Sequence, residues 1–185
     1  MAEETNLIGV LVHDHREVED MFTELESGTI DPRRRAELRD KVITELVRHS
    51  VAEEMYLYPA TRKVIPGGDQ LADREIEEHA AAERVMKDLE KVAPEDARFD
   101  ELLAQLITDI RGHVAEEESD LFPRLQAACS EQELVDLGEK VRRAKKVVPT
   151  RPHPSAPDTP PGNMALGPVV GLVDRIRDAL TGRPH

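Results

Sequence analysis

The chain of 185 residues contains no tryptophan and one cysteine, and aromatic residues make up only 3% of it. A folded core must therefore consist mainly of aliphatic side chains. Cys129 can form no disulfide within the chain, which is typical of proteins in a reducing compartment. No stretch approaches the roughly 20 apolar residues that a membrane-spanning helix needs. These shortages exclude a disulfide scaffold and an integral membrane protein.

Positively charged residues are also few: the chain has 25 Lys and Arg but 38 Asp and Glu, which gives a formal net charge of −13. This charge argues against sequence-independent binding of nucleic acid or anionic lipid, since both carry negative charge themselves. The first residues, MAEETNLIGV, are acidic and lack the layout of a signal peptide. We therefore expect a cytoplasmic protein that binds no nucleic acid.

Helical periodicity of apolar residues dominates the chain. It fills four long segments, at about 5–26, 32–64, 70–92 and 97–127, and a shorter one at about 130–146. Turn-forming stretches separate the long segments, and SEQE begins the short one as a capping box of Ser130 and Glu133. The sequence therefore predicts an all-α fold: an up-down-up-down four-helix bundle with a short fifth helix, over residues 1–146.

The remaining residues differ in composition. Residues 147–163 are rich in proline, which predicts an extended, solvated linker. Residues 164–185 resume helical spacing and predict an amphipathic C-terminal helix. Its apolar side is formed by Val169, Val170, Leu172, Val173, Ile176 and Leu180.

One phrase occurs twice in the chain, as HSVAEEMYLYP at 49–59 and as HVAEEESDLFP at 113–123. The interval between the two copies, which we call the repeat interval, also separates His15 from His79. The second helix pair therefore repeats the first in register. Each long helix contains a His followed four residues later by a Glu. These pairs are His15 and Glu19, His49 and Glu53, His79 and Glu83, and His113 and Glu117.

These pairs lie on the apolar sides of their helices, because an aliphatic residue stands three positions before each His: Val12, Leu46, Ile76 and Ile110. Unpaired ionisable groups buried in a core would cost several kcal/mol each, on the order expected for buried ions. A metal centre removes that cost. Four His and several Glu exceed one tetrahedral site and suit two carboxylate-bridged ions, with iron favoured and manganese or zinc possible.

The motifs Asp14-His15, HSVAEEMYLYP, EEHAAAE and HVAEEESDLFP resemble the hemerythrin family in its bacterial HHE cation-binding form. The resemblance covers about residues 5–127. It implies a four-helix bundle around two non-haem iron ions, bridged by an oxygen atom and two carboxylates. It also implies that the metal ligands are His15, His49, bridging Glu53, His79, His113 and bridging Glu117.

One position departs from the family members that carry oxygen reversibly, which have a second His four residues after the third-helix His. Glu83 occupies that position here, and we expect it to be a further metal ligand. A carboxylate there would favour ferric iron, which weakens the case for reversible oxygen carriage. The sequence looks more like actinobacterial hemerythrin-like proteins, to which catalase-like activity and redox or nitric oxide responses have been attributed.

Two further residues have open roles at the expected centre. Glu19 either binds a metal or lines an open coordination position. Tyr56 faces the metals by its spacing from His49 and Glu53, and it either packs in the core or donates a hydrogen bond to a bound oxygen species.

The sequence therefore predicts a di-iron protein that binds or turns over hydrogen peroxide, oxygen or nitric oxide, in a catalase-like or redox-defence role. The electron donor or protein partner is not identified. The alternatives are a sensor module, whose iron state alters a contact with a partner through the C-terminal helix, and an oxygen-storage protein. A metal-free bundle is disfavoured, because the inward His and Glu would all have to satisfy one another.

Overall fold

The structure, a computed structural model, describes residues 5–28, 30–156, 159–166, 170, 171 and 174, and all regular structure among them is helical. The helices are α1 (Leu7–Glu26), α2 (Pro32–Val64), α3 (Gly68–Leu89), α4 (Ala97–Glu116), α5 (Phe122–Ala128) and α6 (Glu131–Ala144). A π-helical turn, Glu117–Leu121, joins α4 to α5. Short connections make successive long helices antiparallel, which confirms the predicted all-α bundle.

The helices begin at short polar residues that cap their first turns. The side chains of Asn6, Asp31 and Asp96 accept hydrogen bonds from backbone N–H groups at the starts of α1, α2 and α4. Ser130 and Glu133 form the predicted capping box at the start of α6. The predicted breaks therefore fall where the sequence supplies caps.

The turn between α2 and α3 depends on two consecutive glycines. Gly67 has a φ of +76°, a left-handed conformation that glycine adopts without steric cost. A Cβ atom on Gly68 would lie 2.2 Å from the carbonyl oxygen of Thr61 in α2. This close approach places the start of α3 directly against the end of α2.

Two apolar cores fill the bundle, one on each side of a polar layer. The upper core lies toward the α1–α2 and α3–α4 connections and includes Val18, Phe22, Leu25, Leu38, Val42, Met86, Phe99 and Leu106. The lower core lies toward the α2–α3 turn and includes Leu7, Leu11, Leu57, Tyr58, Leu71, Leu121, Phe122, Leu134 and Val141. Helix α6 supplies the last two of these residues, so the fifth helix extends the lower core.

Residues 148–153, in the first part of the proline-rich segment, pack on the bundle, whereas residues 154–156 and 159–161 are exposed as a solvated linker would be. Val148 and Thr150 are fully buried, and Val148 joins the lower core. The backbone N–H groups of Thr150 and Arg151 donate hydrogen bonds to the buried carboxylate of Asp174. The segment can be buried because an apolar side chain enters the core and a carboxylate satisfies its backbone.

Part of the predicted C-terminal helix lies outside the described residues, namely Val169, Leu172, Val173, Ile176 and Leu180. Residues 162–166 are helical. The predicted domain boundaries at residues 146 and 163 stay predictions. Among the described residues, no helix combines the length and apolar character that crossing a bilayer requires.

We predict that Gly68→Ala destabilises the fold by about 1–3 kcal/mol, the usual cost of overpacking, because the added methyl group meets the backbone of Thr61. The matched control is Gly112→Ala, inside α4, where an added Cβ would meet nothing within 4 Å. This control should stabilise the fold by about 0.5–1 kcal/mol through helix propensity. Chemical denaturation of the metal-free variants measures both changes, and shifts of equal sign would contradict the prediction.

Candidate metal centre

The four helices bring one histidine each to the polar layer between the two cores. His15, His49, His79 and His113 are all buried, with 5–6% of their surface exposed. The Nε2 atoms of His15 and His49 lie 3.2 Å apart, and those of His79 and His113 also lie 3.2 Å apart. The histidines therefore form two pairs whose Nε2 atoms converge.

Two buried glutamates connect these pairs. Glu53 places Oε1 3.1 Å from His49 Nε2 and Oε2 3.4 Å from His79 Nε2. Glu117 places Oε2 3.4 Å from His15 Nε2 and Oε1 3.8 Å from His113 Nε2. Each carboxylate thus reaches both pairs, as a bridging ligand between two metal ions would. We call the space beside His15 and His49 the first metal position and the space beside His79 and His113 the second.

The outer nitrogen of each histidine faces a carboxylate. The Nδ1–carboxylate distances are 2.8 Å for His15 and Glu118, 3.3 Å for His49 and Asp14, 3.2 Å for His79 and Glu54, and 2.9 Å for His113 and Glu78. Because an ionised carboxylate only accepts hydrogen bonds, it fixes the proton on Nδ1 and leaves the Nε2 lone pair directed inward. This is the usual arrangement around metal-binding histidines.

The polar layer has more acceptors than donors, which is the test of whether these residues fit a metal. Both oxygens of Glu53, Oε2 of Glu75 and Oε2 of Glu117 are buried without a hydrogen-bond donor. Beside them stand the inward Nε2 lone pairs. Cations resolve this excess of acceptors, and a set of imidazole and carboxylate ligands without thiolate fits iron, manganese or zinc. The described ligand atoms form clusters within 4.8 Å of one another: His15, His49, Glu53 and Glu117; Glu53, His79 and His113; and Glu75, His113 and Glu117.

Without a metal, protons compensate the same carboxylates. Burial lowers the pKa of His49, but the charge of Glu53 and the hydrogen bond to Asp14 outweigh burial and raise this pKa to about 10. Burial raises the pKa of Glu53, yet the neighbouring His49 and His79 hold it well below its ordinary value. Metal binding at this layer must therefore displace protons from the imidazoles.

Glu75 is a candidate ligand that sequence reasoning missed. Its side chain is fully buried, Oε2 lies 3.1 Å from His113 Nδ1, and Arg74 donates to Oε1 at 3.3 Å. The repeat interval pairs Glu75 with Leu11, a lower-core residue. A carboxylate at a position where the repeat has leucine was the signal that could have revealed Glu75.

The structure places Glu83, a predicted metal ligand, away from the other candidate ligands. Glu83 belongs to none of the ligand clusters, and its Oε1 accepts a hydrogen bond from the backbone N–H of His153 at 2.6 Å. Burial raises the pKa of its carboxyl group. The reason is helix direction. Glu53 and Glu117 lie four residues after the histidines of α2 and α4. Because α3 runs in the opposite direction, the same level of the bundle lies four residues before His79. Glu75 lies there, and Glu83 lies one turn on the other side.

Glu19 departs from its predicted place for the same reason, because α1 also runs antiparallel to α2. Its carboxylate is half exposed and forms an ion pair with Arg111 at 2.7 Å. Glu19 lines the cavity that leads to the histidines, and its predicted role beside an open coordination position stays a prediction. The residue of α1 that corresponds to Glu75 of α3 lies four residues before His15, and it is the apolar Leu11.

Tyr58, rather than the predicted Tyr56, reaches the centre. Tyr56 is half-buried beside the lower core, whereas the fully buried Tyr58 places its hydroxyl 3.0 Å from His79 Nε2 and donates to Glu117 Oε1 at 3.4 Å. Burial and nearby carboxylates raise the pKa of Tyr58 well above its ordinary value, so it remains a neutral donor. Phe122, its equivalent in the repeat, stacks on His15 with ring centroids 5.8 Å apart. The repeated aromatic–Pro ending of the two motifs was the signal for both residues.

A cavity of about 250 Å³ connects the centre to the surface between α1 and α4. All four histidines line it. Buried apolar side chains form its walls, namely Val18, Phe22, Leu46 and Ile110. Charged side chains that are partly exposed line its mouth, namely Arg16, Glu19, Arg111 and Glu118. Both metal positions are therefore accessible to a small molecule.

Comparisons with known proteins agree with this geometry. The family model of the hemerythrin HHE cation binding domain matches residues 6–125. An uncharacterized hemerythrin-like protein of Schizosaccharomyces pombe is 28% identical over 181 residues, covering 97% of this chain and 89% of that protein. A DNA nickase of Nostoc sp. is 27% identical over 149 residues, covering 80% of this chain but only 42% of the nickase.

Among solved structures, the crystal structure of a hemerythrin HHE cation binding domain-containing protein from Mycobacterium kansasii has the same fold. Its TM-score is 0.66 at 22% sequence identity, and the match covers 76% of this chain and 85% of that one.

We predict that Glu75→Gln lowers metal affinity by about tenfold or more, whereas the matched variant Glu83→Gln leaves it unchanged. Both variants remove one negative charge from α3, but only Glu75 lies in a ligand cluster. Metal titration followed by elemental analysis measures both affinities. A loss of metal from Glu83→Gln alone would restore Glu83 as the ligand.

Proposed function

The chain belongs to the hemerythrin HHE cation-binding domain family, and we propose that it holds two iron ions with which it binds and turns over small oxidants. Hydrogen peroxide, oxygen and nitric oxide are the candidate substrates or ligands. The observation that carries this proposal is the layer of converging Nε2 atoms and donor-free carboxylates, which offers two adjacent positions for cations and a cavity leading to both.

The ligand sets follow from the clusters. The first iron would be held by His15, His49, Glu53 and Glu117, and the second by His79, His113, the same two bridging glutamates and Glu75. Two irons bound there would supply one-electron and two-electron redox chemistry for the reduction or oxidation of such small molecules.

The protein residues contribute position, proton donation and exclusion of water. Four carboxylates orient the histidine rings by accepting hydrogen bonds from Nδ1. They belong to Asp14, Glu54, Glu78 and Glu118. The Tyr58 hydroxyl lies beside His79 and Glu117, where it can donate a hydrogen bond or a proton to a reduced oxygen atom. The apolar walls of the cavity keep bulk water from the centre.

Charge at the centre favours peroxide or nitric oxide chemistry over reversible oxygen carriage. The sequence predicts this negative charge at Glu83, but Glu75 is the carboxylate with an oxygen within 4.8 Å of ligand atoms of His113 and Glu117. A third carboxylate near one iron stabilises the ferric state. The DNA nickase relative does not extend this proposal to nucleic acid, because the net charge of −13 opposes binding to DNA.

Iron analysis tests the proposal directly. Protein from iron-replete cells should contain about two irons per chain, because the ligands divide into two sets. His49→Ala and His113→Ala should each lower that content, whereas His13→Ala should not, because His13 is an exposed residue of α1 with 72% of its side chain accessible. Elemental analysis, an optical spectrum and peroxide consumption are measured on the same samples. One iron or none in the reconstituted wild type would reject the di-iron proposal.

A sensor role is the second candidate, and the contact of the C-terminal segment with α3 favours it. Besides the Glu83–His153 hydrogen bond, Lys87 Nζ donates to the carbonyl oxygen of Pro152 at 3.1 Å. Glu83 stands one helical turn after His79, so a small shift of α3 on a change of iron state would reach this contact.

We predict that Glu83→Ala increases hydrogen exchange in residues 149–156 without lowering iron content. The reason is that this change removes an anchor of the segment but no metal ligand. If the sensor role holds, exchange in the same residues also differs between ferric and ferrous wild-type protein. Equal exchange in both iron states would remove the sensor candidate and leave the redox role.

A further inference from the structure

The mouth of the cavity carries an ion-pair network that ties α4 to α1. Arg111 Nε and Nη2 donate to the two Glu19 oxygens at 3.0 and 2.7 Å. Arg111 Nη1 and Nη2 donate to the two Glu26 oxygens at 3.1 and 2.8 Å. Four of the five N–H bonds that a guanidinium carries are therefore directed at carboxylates. We call Arg111, Glu19 and Glu26 the clasp.

A second ion pair lies beside the clasp. Arg16 donates to Glu118 Oε2 at 2.6 Å, and the other Glu118 oxygen faces His15. Arg16 and Arg111 are thus paired with two carboxylates of the mouth, Glu19 and Glu118, and with Glu26, which lies outside the cavity lining. Together these five side chains carry one net negative charge. Neither arginine is available as a free anion receptor, because each already binds carboxylate.

The interior of the cavity also disfavours anions. Past the charged mouth, a ligand meets Val18, Phe22, Leu46 and Ile110, which are all buried. An anion would have to lose its hydration there before it reached a metal, whereas oxygen, nitric oxide and hydrogen peroxide carry no charge. The net negative charge around the mouth and the apolar walls therefore both favour uncharged ligands over anions.

We propose that the clasp determines ligand specificity, admitting uncharged small molecules and holding back anions by occupying Arg111. This inference rests on the proposed function, since it names the class of ligand that the metal centre receives. Arg111 is the residue on which the discrimination depends, because its charge would draw anions to the mouth if Glu19 and Glu26 did not neutralise it.

The test compares an anion with a neutral ligand. Azide binding is followed by absorbance on the ferric protein and, in parallel, on protein reconstituted with Co²⁺. Nitric oxide binding is followed on the ferrous protein. The variants are Glu19→Gln with Glu26→Gln, which removes two negative charges from the mouth, and Arg111→Met, which removes one positive charge. The control is Glu95→Gln with Glu101→Gln, which makes the same charge change as the first variant at exposed residues near the other end of α4.

We expect azide association about three- to tenfold faster in Glu19→Gln/Glu26→Gln than in the control, and slower in Arg111→Met. Nitric oxide association should change less than about twofold in every variant, and about 0.5 M salt should remove most of the azide effect. Equal azide rates in the mouth and control variants would overturn the proposal. Parallel changes in azide and nitric oxide rates would also overturn it, because they indicate steric opening. The Co²⁺ protein separates this result from the di-iron proposal, since the mouth can be tested there even if iron does not load.

Discussion

The bundle is organised by an excess of buried acceptors in one layer. Four imidazoles and the carboxylates of Glu53, Glu75 and Glu117 converge there, and several of their atoms face no donor. Such a layer is unfavourable in an apolar core unless cations or protons occupy it. Two aliphatic cores, above and below, provide the stability that allows the chain to retain it. The antiparallel helices, the outer carboxylates on Nδ1 and the cavity all position or serve this layer.

The internal repeat explains why the centre has two similar halves. The repeat interval separates Asp14 from Glu78 and Glu54 from Glu118, and each of these four carboxylates faces the Nδ1 of one histidine. Glu53 and Glu117 obey the same spacing. A single helix-pair design, used twice, thus builds two similar halves of the candidate centre, each with matched outer carboxylates.

The two halves of the repeat differ at two places beside the histidines. The second position has Glu75 and the Tyr58 hydroxyl, whereas the first has Leu11 and Phe122 at the equivalent places. The cavity and its charged mouth lie on the α1–α4 side, close to His15 and Glu118. One half therefore carries additional polar groups, and the other carries the charged entrance.

Sequence by itself determined the helices and the inward positions of the four histidines, Glu53 and Glu117, because apolar periodicity and an internal repeat are properties of the chain alone. The tertiary structure decided which further polar groups join them. A helical wheel places Glu75, Glu83 and Glu19 on similar sides of their helices, but only helix direction determines which of them reaches the level of Glu53 and Glu117. The burial of the proline-rich segment was likewise decided by partners distant in sequence, Glu83 and Asp174, whose contacts with that segment no local pattern encodes.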